Sequence, residues 1–470
     1  MTKITKGKGL ASQKLLIAIG AFIAIFMGIF AAIFGATVGT NLGILLAVPV
    51  AMMICFLFFF DRYSLLFLII LSRSAIDPIL DATKLGSFGL GALLNALVIV
   101  IAFLAIIERP KPALKVFSQT WLAFLIVVFF SIFMAPDLLT AVKTFLVLFS
   151  YASIFTLAIV LVQSERDYGH WMRAVFFSSI IPVLYGFIDL AGGGFKGQES
   201  EGLRISSTFS HPNIFAFYLV LMVSLSFYFY KVKASYIPSY IRSTLPIYIF
   251  IMLGLMVLTK TRSAWASCFA FFAIYSVIYE RKYILYLLLV PIVALMIPEV
   301  RDRFLDLTQG NEVVNYSKLN SFAWRKMLWQ SGIDFMATSH YFLGYGLESF
   351  RYYSVSFFAL GGGIPRGAHS VYVELFFEIG GIGLVTFIWI HLKVGKMLLQ
   401  YYKQNPLMIF SAIMFLLEFA LDAYSDNMLT YLSFDWYLWF VLGAAYAVNY
   451  TKSQQTESDE QSISKKVKIA

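Results

Sequence analysis

The chain has 470 residues, of which 60% are hydrophobic and only 13% charged, with a formal charge of +10 and a mean hydropathy of +0.79. Soluble domains carry about 25% charged residues. Too little polar surface is therefore present to coat a soluble globule, and the composition points to a lipid bilayer, not nucleic acid, as the partner. A transmembrane barrel needs polar and apolar residues alternating over about ten-residue segments. The apolar runs here are continuous, and the fold class they predict is an all-α integral membrane bundle.

Lys3, Lys6, Lys8 and Lys14 precede the first apolar run, 15–35. That run is too long for the core of a signal peptide and predicts an uncleaved first helix. Further spans are predicted at 42–60, 63–80, 88–107, 119–135, 138–162, 171–191, 212–230, 245–259, 264–279, 283–298, 370–392, 407–425 and 431–449, about fourteen in all, with a range of about twelve to fourteen. The pair 245–279 also fits a re-entrant hairpin. Residues 1–450 form a single membrane domain, and the polar stretch 451–470 predicts a disordered cytoplasmic tail. Cys55 and Cys268 lie inside apolar runs and offer neither a disulfide framework nor a thiolate metal site.

Lysine and arginine favour the cytoplasmic side of short loops. Placing both termini inside puts at least one basic residue in every short cytoplasmic loop, and leaves a long outer loop at 299–369. In this arrangement the ionisable residues within spans, Arg73, Asp77, Lys143, Glu374, Glu378, Glu418, Asp422 and Asp435, all fall in the outer halves of their helices. Charges at such depth face protein or water-filled cavities. Their one-sided placement predicts a polar cavity open to the outer leaflet, with Glu374, Glu378 and Asp422 among its carboxylates; snorkelling ion pairs near helix ends are the plainer alternative.

Four outer segments hold the candidate chemistry. In Arg204-Ile-Ser-Ser-Thr-Phe-Ser-His-Pro-Asn213, Pro212 suits the first turn of a helix whose cap is Ser210 or His211, and Arg204 beside that N-terminus suits an anion. Lys260-Thr-Arg-Ser-Ala264 places two cations, Lys260 and Arg262, in a short outer turn that would normally avoid them. Their forks and point charge fit phosphate oxygens, and also fit a headgroup anchor. Trp324-Arg-Lys-Met-Leu-Trp329 predicts a short surface helix; surface packing alone explains it, and Arg325 as a second phosphate ligand is the sharper reading. Gly361-Gly-Gly-Ile-Pro-Arg-Gly-Ala-His-Ser370 leads into a span, and His369 at its mouth is a candidate proton acceptor. No spacing of histidine, cysteine and carboxylate calls for a metal, and no cofactor is expected.

Taken in order, these segments resemble the O-antigen ligase and O-antigen polymerase family of bacterial surface-polysaccharide membrane enzymes. The match lies in His369-Ser370 followed by Gly380-x-x-Gly383, in Lys260-Thr-Arg-Ser-Ala264, in Arg204 to Asn213, and in Trp324-Arg325 and Gly344-Tyr-Gly346. It covers about 204–392; Ser370 stands where many members have Asn. The resemblance implies a metal-independent, inverting glycosyltransferase of the C-type membrane fold in the bacterial inner membrane. Such an enzyme takes a glycan from undecaprenyl diphosphate at the outer face and passes it to a growing glycan or to lipid A–core. It implies that Arg262, Arg325 and Lys260 hold the diphosphate, that His369 acts on the acceptor hydroxyl, and that Arg204, His211 and Asn213 contact glycan or phosphate. Polymerase is placed slightly ahead of ligase. The alternative is a lipid-linked glycan flippase or other polytopic transporter, against which stand the lack of an internal repeat and the long outer loop.

Overall fold

The computed structural model describes residues 52–82, 84–85, 88–194, 204–233, 236–296, 298–305 and 319–469. The predicted span 15–35 and the first half of 42–60 lie outside the described residues. The chain divides into two units, Met1–Ser72 and Arg73–Ala470. The described part of the first is helical over 52–60 and over Arg62–Ser72. The second is helical apart from a minimal hairpin, Lys84–Leu85 with Phe88–Gly89. Among the described residues seven helices are long and apolar enough to cross a membrane, or eight if the pair Ala113–Thr120 and Leu122–Met134, bent by 54°, forms one broken span. Arg62–Ser72, Arg262–Ile278 and Lys282–Ile292 are apolar but shorter. A helical membrane protein is thus what the sequence predicts and what the structure holds.

Helix limits follow local chemistry. The helix Leu138–Leu161 starts at Asp137, whose carboxylate accepts from the backbone N–H groups of Leu139 and Thr140. Pro212–Val232 and Pro406–Ser425 begin on prolines, which have no N–H to leave unsatisfied. The predicted span 63–80 is instead two helices, Arg62–Ser72 and Asp77–Ala82. At the interruption buried Arg73 pairs with Asp77 and lies 5.4 Å from the centre of the Trp436 ring. A buried guanidinium left unpaired would be strongly destabilising, and Asp77 supplies its counter-charge. The last helix runs from Leu432 to Ile469, because 451–469 contains no glycine or proline to stop it and is rich in Gln, Glu, Lys and Ser.

The last helix and Leu138–Leu161 form the centre of the bundle. Trp439 packs edge-on against Trp121 at 4.6 Å and Phe155 at 6.0 Å. Trp436 donates to the Ser150 hydroxyl at 2.8 Å. The two backbones approach so closely at Gly443 that a Cβ there would stand 2.5 Å from the Phe155 carbonyl oxygen. These contacts hold the frame of the bundle.

The helix Val371–Leu399 is broken at Gly380, with φ 64° and ψ −172°. The break frees backbone groups, and the segment 341–346 engages them. Tyr345 and Gly346 donate to the carbonyls of Phe377 and Glu378 at 3.0 and 2.8 Å; Gly381 and Ile382 donate to those of Tyr341 and Phe342 at 2.7 and 3.3 Å. In a membrane environment such groups must be satisfied by protein. A Cβ on Gly380 would lie 2.2 Å from the Phe342 oxygen, and one on Gly344 2.3 Å from the Glu378 oxygen. The helices Ser321–Phe335 and Ser349–Phe357 then pack onto the first turns of the broken helix around buried Leu328, Phe350, Phe358 and Phe377.

Gly380→Ala should therefore lose both a favourable backbone conformation and the interlock. We expect a cost of at least about 2 kcal/mol, seen as a lowered Tm of the detergent-purified protein. Gly362→Ala is the control: it has the same φ of 64° but nothing within 4 Å of the added Cβ, so it should cost only about 1 kcal/mol. Equal Tm values for the two variants would show that the interlock is not what fixes this helix.

Candidate functional site

Four helix N-termini are brought to one end of the bundle. His211 caps Pro212–Val232, its Nδ1 accepting from the Asn213 N–H at 3.1 Å. Asn320 caps Ser321–Phe335 by accepting from Phe322 and Ala323. Thr261 and Ser370 precede Arg262–Ile278 and Val371–Leu399 without a side-chain cap, so the first-turn N–H groups of these two helices have no capping side chain. Contacts connect the four. Arg262 donates to the Ser321 hydroxyl at 2.7 Å. Trp324, one turn into that helix, lies edge-on to the His369 ring at 6.0 Å. His369 in turn feels the charges of Arg325, Asp426, His211 and Arg366. Helix N-termini carry partial positive charge and favour anions.

His369 is held from both sides. Its neighbour Ala368 donates its N–H to Glu374 at 2.9 Å and accepts from the Trp329 indole at 2.6 Å. Glu374 also accepts from Asn427 at 2.7 Å. These bonds keep His369 in the left-handed region, φ 51°, which a residue with a Cβ occupies only when its surroundings enforce it. The imidazole itself has no hydrogen-bond partner among the described residues. Burial, then the positive charge of Arg325, push its pKa down to about 4; Asp426 opposes this, while His211 and Arg366 add to it. The ring is therefore neutral near pH 7 and can accept a proton.

The cations differ in how they are employed. Arg325 and Arg366 are half-buried, and neither guanidinium has a carboxylate or hydrogen-bond partner among the described residues. Unpaired charges removed from water are costly, so this pair favours an anionic ligand. Arg262 already bonds to Ser321, and Lys260 occupies the turn before it with φ 55°. Arg204 is committed to the frame. It donates to the Thr259 carbonyl at 2.8 Å and to Asn213 at 2.9 Å, and so clamps the 204–213 segment to the turn 259–261. Asn213 passes this on to Asp426, donating at 2.6 Å, and Tyr431 donates to the same carboxylate at 2.6 Å.

The sequence-predicted residues thus separate. His369, Arg325, Arg262 and His211 come together, with Lys260 in the turn beside Arg262. Arg204 and Asn213 are tied into the supporting network. Glu374, Glu378 and Asp422, expected at an open cavity, make protein bonds. Glu378 is buried and accepts from the Phe350 N–H at 3.3 Å, and Asp422 is buried and accepts from the Ser267 hydroxyl at 2.7 Å. Arg366 and Asp426 were missed as site residues. An arginine within a glycine-rich stretch was the only available signal for the first. For the second there was none, because its partner Asn213 is distant in sequence. Among the described residues no group of three or more His, Cys, Asp or Glu side chains could hold a metal.

Residues 247–388 match the family model described as O-antigen ligase, a segment that contains Arg262, Arg325, Arg366, His369 and the Gly380 break. No curated protein matches the chain. The matched segment supports an O-antigen ligase/polymerase family assignment. The long apolar helices fit a multi-pass membrane protein.

The His369 titration is open to measurement. Its folded pKa lies below the ordinary 6.5, so between pH 6.5 and about 4 the unfolded chain binds more protons. The stability this neutral ring contributes is complete above pH 6.5 and is lost as the pH falls towards 4. In protein labelled with [13C]histidine, the resonance missing from His369→Gln should titrate near 4. Arg325→Ala and Arg366→Ala should each move that midpoint upward. A wild-type midpoint near 6.5, unmoved in both variants, would contradict the cationic surroundings described.

Proposed function

We propose that this protein transfers a glycan from undecaprenyl diphosphate to an acceptor hydroxyl at the outer face of the bacterial inner membrane, with polymerisation of repeat units favoured over ligation to lipid A–core. The observation that carries the reading is the pair of half-buried arginines, Arg325 and Arg366, which have no carboxylate partner among the described residues, beside a neutral His369. A diphosphate diester brings the negative charge that this pair lacks. Arg325 and Arg366 hold it, Arg262 adds a third fork, and the uncapped N-termini at Arg262 and Val371 add backbone donors. Lys260 contributes a point charge nearby.

In the transfer step the acceptor oxygen forms a bond to the anomeric carbon while the bond from that carbon to the diphosphate oxygen breaks. The electron pair leaves with the diphosphate, where the arginines stabilise it. The acceptor proton passes to His369. Attack opposite the leaving group inverts the anomeric configuration. Binding of the diphosphate also offsets the cationic repulsion on His369, raising its proton affinity when a base is needed. Arg204, Asn213 and Asp426 position this machinery, and His211 caps the helix that flanks it. Because arginines neutralise the leaving group in this reading, transfer in purified enzyme should persist in EDTA.

The test is complementation of a strain lacking the protein, with membrane levels checked and both polymer and donor binding measured. Arg325→Ala and Arg366→Ala should each lower transfer by about a hundredfold. Arg262→Lys should fall between wild type and Arg262→Ala, because it keeps charge and loses the fork. His369→Ala should abolish transfer while leaving donor binding largely intact. Exposed Lys326→Ala should remain active. Cysteines at positions 233 and 396 should label only from the cytoplasmic side. Normal polymer from His369→Ala at normal expression would sink the mechanism; movement of labelled lipid-linked glycan without its conversion would favour the transporter alternative.

A further inference from the structure

The end of the bundle remote from His369 contains a cleft of about 380 Å³, within the size range of small-molecule sites. The helix Leu138–Leu161 separates the two ends. Thr144 bonds to Glu348 on the side of the candidate site, at 2.7 Å, and the cleft begins at Ile159 and Val160, roughly 24 Å further along at 1.5 Å per residue. Arg109 and Lys111 line it, together with Gln163, Tyr450 and Thr451, against buried Ile159, Val160 and Ala447. It therefore combines two cations and two hydroxyls with an apolar wall.

Arg109 and Lys111 are exposed. Neither Arg109 nor Lys111 has a side-chain ion pair among the described residues. The neighbouring carboxylates are engaged elsewhere: Glu165 pairs with Lys452 at 3.2 Å, and Asp167 accepts from Ser164 at 2.8 Å and from the Gln163 N–H at 3.3 Å. Glu108 also has a partner. The depth is equally informative. The apolar helix Leu90–Glu108 is long enough to cross a membrane and ends just before Arg109, where a chain leaving the hydrocarbon would meet headgroups. On that helix Val100, Phe103 and Ile107 share one face and are 45%, 63% and 60% exposed. Arg109 follows Val100 by nine residues and so lies across the helix from that face, which does not line the cleft.

We propose that this cleft binds the phosphodiester headgroup of an anionic phospholipid, with Arg109 and Lys111 on the phosphate and Tyr450 and Thr451 as hydroxyl donors. Basic pockets between membrane helices recognise such headgroups through charge. The site is separate from the glycan-transfer reading and stands or falls without it.

The experiment measures lipid retention by native mass spectrometry and Tm in detergent, on the full chain. The probes are phosphatidylglycerol, phosphatidylcholine and inorganic phosphate. Wild type should retain phosphatidylglycerol and gain Tm from it, with little response to phosphatidylcholine or phosphate. The double variant Arg109→Ala/Lys111→Ala should bind phosphatidylglycerol about thirtyfold more weakly, as two surface cations imply. Tyr450→Phe should weaken it by a smaller factor and keeps the ring packed on Tyr446. Lys115→Ala, an exposed charge outside the cleft, should bind as wild type. Equal binding of phosphatidylglycerol to wild type and the double variant overturns the site. Equal binding of phosphatidylcholine overturns charge recognition, and a matching response to inorganic phosphate overturns the lipid as its source.

Discussion

The interlock at Gly380 is the constraint on which the candidate site depends. An unbroken helix would keep the carbonyls of Phe377 and Glu378 for its own next turn. The break gives them to Tyr345 and Gly346, and lets Gly381 and Ile382 donate to Tyr341 and Phe342. Four inter-segment bonds then tie a long loop to a membrane helix. Only glycine permits this, because both the positive φ and the 2.2 Å approach exclude a Cβ. With the loop fixed, the helix Ser321–Phe335 can lay Trp324 against His369 and Trp329 against Ala368. The distance from the break to His369 is short along the chain, so little of this placement is left to loop flexibility.

Charge at the site is arranged by the same frame. The carboxylates nearby are occupied. Asp426 receives Asn213 and Tyr431, Glu374 receives Ala368 and Asn427, and Asp189 receives the N–H groups of Ser206 and Ser207 at 2.7 and 2.9 Å. Each holds backbone or side chains in position and is not paired with Arg325 or Arg366. Acids therefore build the walls, and cations are left for a ligand. Pairing Arg366 with one of these acids would make the empty protein more stable, but it would remove the attraction for an anion. The uncapped N-termini at Arg262 and Val371 point to the same choice.

The sequence makes some of this legible for plain reasons. Spans with a continuous apolar run and a sharp cap are recovered almost to the residue: 138–162 against Leu138–Leu161, and 407–425 against Pro406–Ser425. The residues His369, Arg262 and Arg325 carry unusual chemistry for their positions, and it is their order along the chain that links them. Other features depend on partners that no local pattern reveals. Glu378 was placed at a cavity from its depth, yet its oxygen accepts from Phe350 across a loop. Arg204 has the look of an anion ligand until Thr259 and Asn213 are seen to occupy it. The span 63–80 is apolar enough to continue, and only the need of buried Arg73 for Asp77 and Trp436 explains its interruption.

Backbone strain gives an independent view of the same region. Among the described residues the non-glycine positions with positive φ are Ser207, Lys233, Lys260, Glu348 and His369. Four of these lie in the segments that build the candidate site or anchor its loop; Lys233 ends a helix. An L-residue in the left-handed region costs about 1 kcal/mol or more, so nearby bonds must compensate at each. Ser207 has its N–H on Asp189 and its hydroxyl on the Pro182 carbonyl at 2.5 Å; Glu348 receives Thr144; His369 is flanked by the bonds of Ala368. A glycine at position 369 would adopt the backbone at lower cost, so fold stability alone does not account for histidine there. The strain is explained if the imidazole is needed where it stands, neutral, next to guanidiniums that have no counter-ion among the described residues.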